Sequence, residues 1–217
     1  MSGCRVKLCG MSREVDLDAV VAAQPDYVGF VVDFPRSRRS VSPDRLPGLV
    51  AYLRRREEER GHGSSKRIVA VGVFVDEPPE RLAEIAVAAG LDAVQLHGHE
   101  DEAHLAELRG LLPEGTLVIQ AFRVREPADV ARAEASSADL VLLDNGQGTG
   151  ERFDWSLVRG VSRPFLLAGG LTPENLPEAV RELRPFGVDL SSGIETDGCK
   201  DPTKIAAAVR AVRATSP

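Results

Sequence analysis

The stretch Ile68–His97, IVAVGVFVDEPPERLAEIAVAAGLDAVQLH, decides the fold. It opens on the apolar run Ile68–Val75, which shows almost no polar alternation. A strand buried on both faces reads this way, because helices cover both sides of a parallel sheet. The segment Pro78–Ala89 follows and ends at Gly90, a natural helix C-cap. A second apolar run, Leu91–Leu96, comes at once. Strand, helix and strand in this order form one βαβ unit and imply parallel neighbours.

The same alternation runs outward in both directions. Apolar runs fall at Arg5–Cys9, Tyr27–Val32, Ile68–Val75, Leu91–Leu96, Thr116–Ala121, Asp139–Leu143, Pro164–Ala168 and Gly187–Leu190. Helical segments are expected at Val15–Ala23, Pro43–Arg60, Pro78–Ala89, Glu100–Leu111, Glu126–Ala135, Asp154–Gly160, Pro173–Leu183 and Pro202–Ala214. Ser42-Pro43 looks like an N-cap followed by proline at the first helical position. Eight strand–helix units predict a closed (β/α)8 TIM barrel. An open doubly wound sheet is the rival. It usually has fewer strands and often a glycine-rich turn after the first, whereas here the first strand runs into Cys9-Gly10-Met11-Ser12. No linker interrupts the chain, so residues 1–217 are expected to form one domain. The charged stretch Arg54–Arg67 is expected to be a solvated helix end and a flexible loop.

Length and composition agree with this picture. The chain has 217 residues, near the lower limit for such a barrel. Apolar residues make up 43% and charged residues 28%, as in an ordinary globular protein. A net charge of −6 argues against a nucleic-acid or anionic-membrane partner. No apolar run is long enough to span a membrane, and the N-terminus lacks a signal-peptide core. A cytoplasmic protein is expected. Three cysteines at this spacing fit no zinc pattern and suggest a reducing compartment. Cys4 and Cys9 on one strand would lie roughly 16 Å apart, too far for a disulfide, which needs about 7 Å or less.

The active site of such a barrel lies at the C-terminal ends of its strands. Lys7 and Cys9 close the first strand, Gln95 and His97 the fourth, and Asp144 the sixth. Gly169-Gly170 follows the seventh, and Ser191-Ser192-Gly193 the eighth. The last two loops often bind phosphate, because glycine lets backbone N–H groups approach an anion. Each residue also has a plainer reading. Cys9 is the kind of residue that is often simply buried. Asp144 ends an apolar strand, where a carboxylate is unusual core filler; its plainer reading is a cap or ion pair for the next loop. Arg36, Arg38 and Arg39 form either a solvated loop or a clamp for a substrate carboxylate. His97 is read as a non-essential substrate contact. No His, Asp or Glu pair has metal-site spacing, so no metal is expected.

Taken in order, the blocks KLCGM, VGVFVDEPPE, VQLHGHE, LLDNGQGTGERFDW, LAGGLTPENL and VDLSSGIETDGCKD resemble the phosphoribosylanthranilate isomerases of tryptophan biosynthesis. The likeness spans roughly Val6 to Ala211, and each block falls at a strand end. It implies an Amadori rearrangement of N-(5-phosphoribosyl)anthranilate to 1-(2-carboxyphenylamino)-1-deoxyribulose 5-phosphate, with no cofactor. It also implies Asp144 as general acid, Cys9 as general base and Arg39 on the anthranilate carboxylate. The ribose phosphate would then lie on Gly169, Gly170, Ser192 and Gly193. The acid needs a proton near neutral pH and the base needs to lose one. Lys7 shares a barrel face with Cys9, so it is expected to lower the thiol's pKa. The working unit is expected to be a monomer, with a dimer as the alternative.

Two positions depart from the family pattern. Gln147 stands where the loop after the acid commonly reads GGTG, and Asp197 stands where a proline often precedes Gly198. Cys199 follows, and a disulfide from it to Cys9 would block the base. Two rivals to the isomerase reading are a histidine-pathway or bifunctional aminoaldose isomerase and a non-catalytic sugar-phosphate binder. The former carries aspartate in place of Cys9 and a second phosphate loop, which VQLHGHE does not resemble. The latter has no need of both an acid and a base.

Overall fold

Burial on both faces makes each apolar run a parallel strand, and the strands close into a barrel. A computed structural model describes residues 3–61, 67–144 and 155–215. Its barrel strands are β1 (Arg5–Cys9), β2 (Tyr27–Val32), β3 (Val69–Phe74), β4 (Ala93–Leu96), β5 (Leu117–Arg123), β6 (Leu140–Asp144), β7 (Phe165–Leu167) and β8 (Gly187–Leu190). Each pairs in parallel with the next, and β8 pairs with β1. The expected (β/α)8 barrel is the fold. The first, second and eighth strands keep their expected bounds, and the others differ by one or two residues at an end.

Seven α-helices cover the barrel among the described residues: α1 (Glu14–Ala23), α2 (Leu46–Arg60), α3 (Pro79–Ala89), α4 (Glu102–Leu111), α5 (Pro127–Ala135), α6 (Leu176–Leu183) and α7 (Pro202–Thr215). Gly90 caps α3 with φ 65°, as expected. Two helices start later than their prolines suggest. The Ser42 carbonyl accepts from the Arg45 and Leu46 N–H groups, so Pro43 sits in a turn and α2 begins at Leu46. Likewise α6 begins at Leu176 rather than Pro173. The helix expected at Asp154–Gly160 is a single 3₁₀ turn, Trp155–Val158, stopped by Gly160 at φ 87°. So short a segment cannot repay the cost of nucleating an α-helix. The end of α2 is solvated as expected at Arg55, Glu58, Glu59 and Arg60, whereas Arg54 and Glu57 turn inward; residues 62–66 of the expected loop lie outside the described residues. Arg54 donates to the Ile68 carbonyl at 2.7 Å and to Glu57 at 2.8 Å, and it pairs with Asp92.

Side-chain alternation sorts the strands into two faces. Outward residues such as Val6 and Leu8 pack with Leu17, Val20 and Ile205 of the helices. Inward residues, among them Tyr27, Val71, Ile119, Leu140, Leu142 and Leu166, fill the barrel itself. Cys9 comes two residues after Lys7 and Asp144 two after Leu142, so both continue the inward series at the mouth.

The opposite end is held by aspartates. Asp26, Asp92 and Asp139 each precede an even-numbered strand. Their Oδ2 atoms accept from Val6 N–H at 2.9 Å, Ala70 N–H at 2.7 Å and Val118 N–H at 2.8 Å on the preceding odd-numbered strand. Each carboxylate also meets arginine: Asp26 meets Arg5 and Arg213, Asp92 meets Arg54 and Arg67, and Asp139 meets Arg109. Burial would push the Asp26 carboxyl up, but the Val6 N–H, Arg5 and Arg213 outweigh it and hold it below the usual range. Asp26→Asn should therefore destabilise the barrel by about 1.5–3 kcal/mol at neutral pH, read by urea unfolding. A lowered folded-state pKa stabilises above the unfolded value of 3.8 and is lost as pH falls through the folded value. The gap between wild type and variant should thus narrow only below about pH 4.

Candidate active site

Lys7 is fully buried, and its Nζ lies 3.0 Å from Asp189 Oδ1, its register partner on β8. Cys9 is opposite Gly29 of β2. A Cβ on Gly29 would stand 2.8 Å from Cys9 Sγ and 3.2 Å from Lys7 Nζ. Thiol and ammonium therefore pack together against bare backbone. Burial pushes the Cys9 thiol up, Lys7 and Lys200 pull it down, and Asp189 adds to the rise. The net result is a raised pKa. The expected help from Lys7 exists, but burial outweighs it, and the resting thiol is protonated. Burial also works against the Lys7 ammonium, yet Asp189 and Cys9 prevail and raise its pKa.

Asp144 ends β6 facing the same mouth, with its side chain 20% exposed. Its Oδ2 lies 3.9 Å from His97 Nε2. Gln95 Nε2 donates to His97 Nδ1 at 2.9 Å, which places the imidazole proton on Nε2, toward Asp144. Desolvation in the cleft lowers the His97 pKa against the pull of Asp144, while 38% of the side chain stays exposed. Cys9, Arg39, Gln95, His97, Asp144 and Asp189 share one cleft of about 330 Å³.

Arg39 reaches the cleft because Ser40–Val41 forms a short strand beside Val31–Val32, where β1 has already ended. Glu195 binds it through Nε at 2.6 Å and Nη2 at 2.8 Å. Lys200 Nζ at 2.9 Å and Arg38 Nη2 at 3.2 Å reach the same carboxylate. Burial would raise the Glu195 pKa, but Arg39 and Lys200 lower it to about 2. Lys200 returns through a hairpin, Glu195–Thr196 with Cys199–Lys200. Its turn has Asp197 at φ 51° and Gly198 at φ 75°. Proline, locked near φ −65°, cannot occupy the first position of this turn. The departure at Asp197 thus follows from the turn this chain makes.

Gly169 and Gly170, at φ 90° and 63°, line the cleft with Ser192. A neighbouring recess of about 390 Å³ adds Gly193 and Lys204. A Cβ on Gly193 would lie 1.9 Å from the Leu171 carbonyl oxygen, so only glycine lets the two loops meet. Asn175 braces the first loop, accepting from Thr172 N–H and donating to the Gly170 carbonyl, both at 2.9 Å. Cys9, Arg39, His97, Asp144, Gly169, Gly170, Ser192 and Gly193, the eight residues assigned to catalysis or substrate from the sequence, therefore gather at one barrel mouth. Gln147 lies outside the described residues. No two of the cysteines are joined as a disulfide; Cys4 and Cys9 are buried and Cys199 is exposed.

The family model for N-(5'-phosphoribosyl)anthranilate (PRA) isomerase matches residues 6–211. The chain belongs to the N-(5'-phosphoribosyl)anthranilate isomerase family. The Acetivibrio thermocellus isomerase is 40% identical, with 96% of this chain and 95% of that one aligned. The Endomicrobium trichonymphae isomerase is 36% identical over 96% and 98%. Among solved structures, the Thermotoga maritima isomerase superposes with a TM-score of 0.81 at 34% identity, covering 97% of this chain and 99% of that one. An isomerase holding reduced 1-(o-carboxyphenylamino)-1-deoxyribulose 5-phosphate gives a TM-score of 0.79, also at 34% identity, covering 97% and 99%.

Sequence reading missed several residues of this isomerase site. Asp189 breaks the apolar run Gly187–Leu190 one residue before its end, and a carboxylate there is as unusual as Asp144 at the end of β6, so the same test would have found it. Glu195, Lys200 and Lys204 carry no local signal, because only the folded loop brings them to the mouth. Since Lys7 favours the thiolate, Lys7→Met should shift the ultraviolet thiolate titration of Cys9 to higher pH. An unchanged titration would refute that influence.

Proposed function

We propose that this chain catalyses the Amadori rearrangement of N-(5-phosphoribosyl)anthranilate to 1-(2-carboxyphenylamino)-1-deoxyribulose 5-phosphate in tryptophan biosynthesis. One observation carries the reading: an inward thiol and an inward carboxylate face a single cleft whose rim holds glycine-rich loops at β7 and β8. Family membership supports the same reading. Asp144 gives its proton to the ribose ring oxygen as the anthranilate nitrogen lone pair opens the ring to an iminium ion. Cys9, as thiolate, removes the C2 proton and leaves an enolamine. Tautomerisation then makes C2 a ketone and C1 an amine-bearing methylene. C2 is oxidised and C1 reduced within one molecule, so no external oxidant or reductant enters.

The raised thiol pKa fits this sequence. Ring opening places a cation next to C2, and positive charge near sulfur favours the thiolate. Lys7 and Lys200 add to that field. The phosphate lies on Gly169, Gly170, Ser192 and Gly193. The free side of the Arg39 guanidinium takes the anthranilate carboxylate, and His97 makes a supporting contact. The working unit is read as a monomer, with a dimer as the alternative. A Thermotoga maritima relative is described as dimeric. Among the described residues no helix is long and apolar enough to cross a membrane. Three cysteines with no disulfide between them support a reducing compartment, the cytoplasm.

Loss of phosphoribosylanthranilate fluorescence tests the proposal. Cys9→Ala and Asp144→Ala should each lower turnover by about 10²–10⁴-fold, the usual scale of general acid–base assistance. Near-wild-type rates for either variant would remove that residue from its role. Product binding without any turnover by wild type would favour a sugar-phosphate-binding barrel instead.

A further inference from the structure

The guanidinium assigned to a substrate carboxylate is already held by a protein carboxylate. Glu195 occupies the Nε and Nη2 edge of Arg39, which leaves the Nη1 side of the fork unengaged. Arg38 and Lys200 share the same carboxylate. Three cations against one anion leave positive charge for a second carboxylate to balance. Glu195 thus aims Arg39 without neutralising the cluster around it.

The backbone of Glu195 serves the other end of the site. Its N–H donates to the Ser192 carbonyl and closes the Ser192–Ile194 turn. Its own carbonyl accepts from Lys204 Nζ at 2.6 Å. Lys200, bound to the Glu195 side chain, donates to the Ser191 carbonyl at 2.9 Å. One residue therefore pins the loop proposed to hold phosphate and grips the arginine proposed to hold carboxylate.

We propose that Glu195 is a positioning residue that fixes the reach between these two anion subsites, so that a phosphate monoester and an aryl carboxylate bind cooperatively. The inference rests on the substrate reading above. The bracket selects ligands carrying both anions at a set spacing. It also spares Arg39 the entropy of finding one rotamer when the ligand arrives.

The test separates the two ideas, because it reads binding as well as turnover. Anthranilate is titrated calorimetrically into the whole protein, with and without saturating ribose 5-phosphate. Wild type should bind anthranilate about fivefold or more tightly when the sugar phosphate is present, the low end of ordinary site–site coupling. Glu195→Gln should abolish that synergy. It should also raise KM for phosphoribosylanthranilate about tenfold while kcat stays within roughly threefold, as lost ground-state binding predicts. In an Arg39→Met background the same change should add little. Glu195→Asp keeps the charge but draws it back by one methylene, so an intermediate KM is expected. This variant decides the matter if Glu195→Gln does not fold. Intact synergy with unchanged KM in a folded Glu195 variant would overturn the proposal. So would an equally large further loss on the Arg39→Met background. A wild type that binds both fragments cooperatively but never turns over would sink the isomerase reading and leave this one standing.

Discussion

Closing an eight-stranded sheet brings the first strand against the last, and here that seam carries a buried ion pair. Lys7 and Asp189 stand in register between Val6 with Val188 and Leu8 with Leu190. A slip of β1 by one residue would turn Lys7 outward onto the helix layer, turn Leu8 into the barrel and leave Asp189 inside without its partner. An unpaired charge there costs several kcal/mol, of order 3–5. The pair contributes less as attraction than as a penalty on every other register. The positions of Cys9, two residues past Lys7, and of Ser191-Ser192, just past Asp189, depend on that register.

Above the seam the charges are paired, though cations outnumber anions around Glu195. Lys7 meets Asp189, while Arg39 and Lys200 meet Glu195. Two other titratable groups at the mouth, Cys9 and His97, are shifted toward their uncharged forms. The Cys9 thiol is pushed up and the His97 imidazole down. A low-dielectric site of this kind strengthens any charge that chemistry creates inside it. In the proposed sequence the first such charge is the iminium ion, whose field lowers the Cys9 pKa so that the thiol proton passes to solvent in the cleft. Fixed dipoles and ion pairs already oriented before that moment need no reorganisation when it comes.

The barrel was legible in the sequence because its signals are local. Apolar runs, periodicity and caps each concern a few neighbouring residues, and eight repeats of them specify closure. The loop ends of helices were less legible. Pro43 and Pro173 are good helix-starting residues, yet each falls in a preceding turn, while Pro47 and Pro177 occupy the first helical turns. The site was legible where a strand end betrays a polar residue, as at Cys9, His97 and Asp144. It was not legible at Glu195 or Lys200, whose role requires the Asp197-Gly198 turn and the approach of Arg39 across the mouth. The sign of the Cys9 shift was out of reach for a related reason. Charge near a thiol can be read from sequence, but depth of burial cannot.

Residue type alone does not separate structure from chemistry in this chain; position along the strand does. Asp26, Asp92 and Asp139 lie just before strands, where they cap exposed N–H groups and meet arginines. Asp144 and Asp189 lie within strand ends, where alternation points them into the mouth. The cysteines divide the same way. Cys4 lies before β1, at the aspartate end, where burial and then Asp26 push its thiol up to about 12 against the opposing pull of Arg213. A thiol so placed is inert filler. Cys9, five residues on, is also buried, but Lys7 and Lys200 stand beside it and a cleft opens above it. Five residues of β geometry therefore carry the same side chain from the stabilising end of the barrel to its reactive end, so a conservative exchange such as Cys→Ser should be tolerated at one and not at the other.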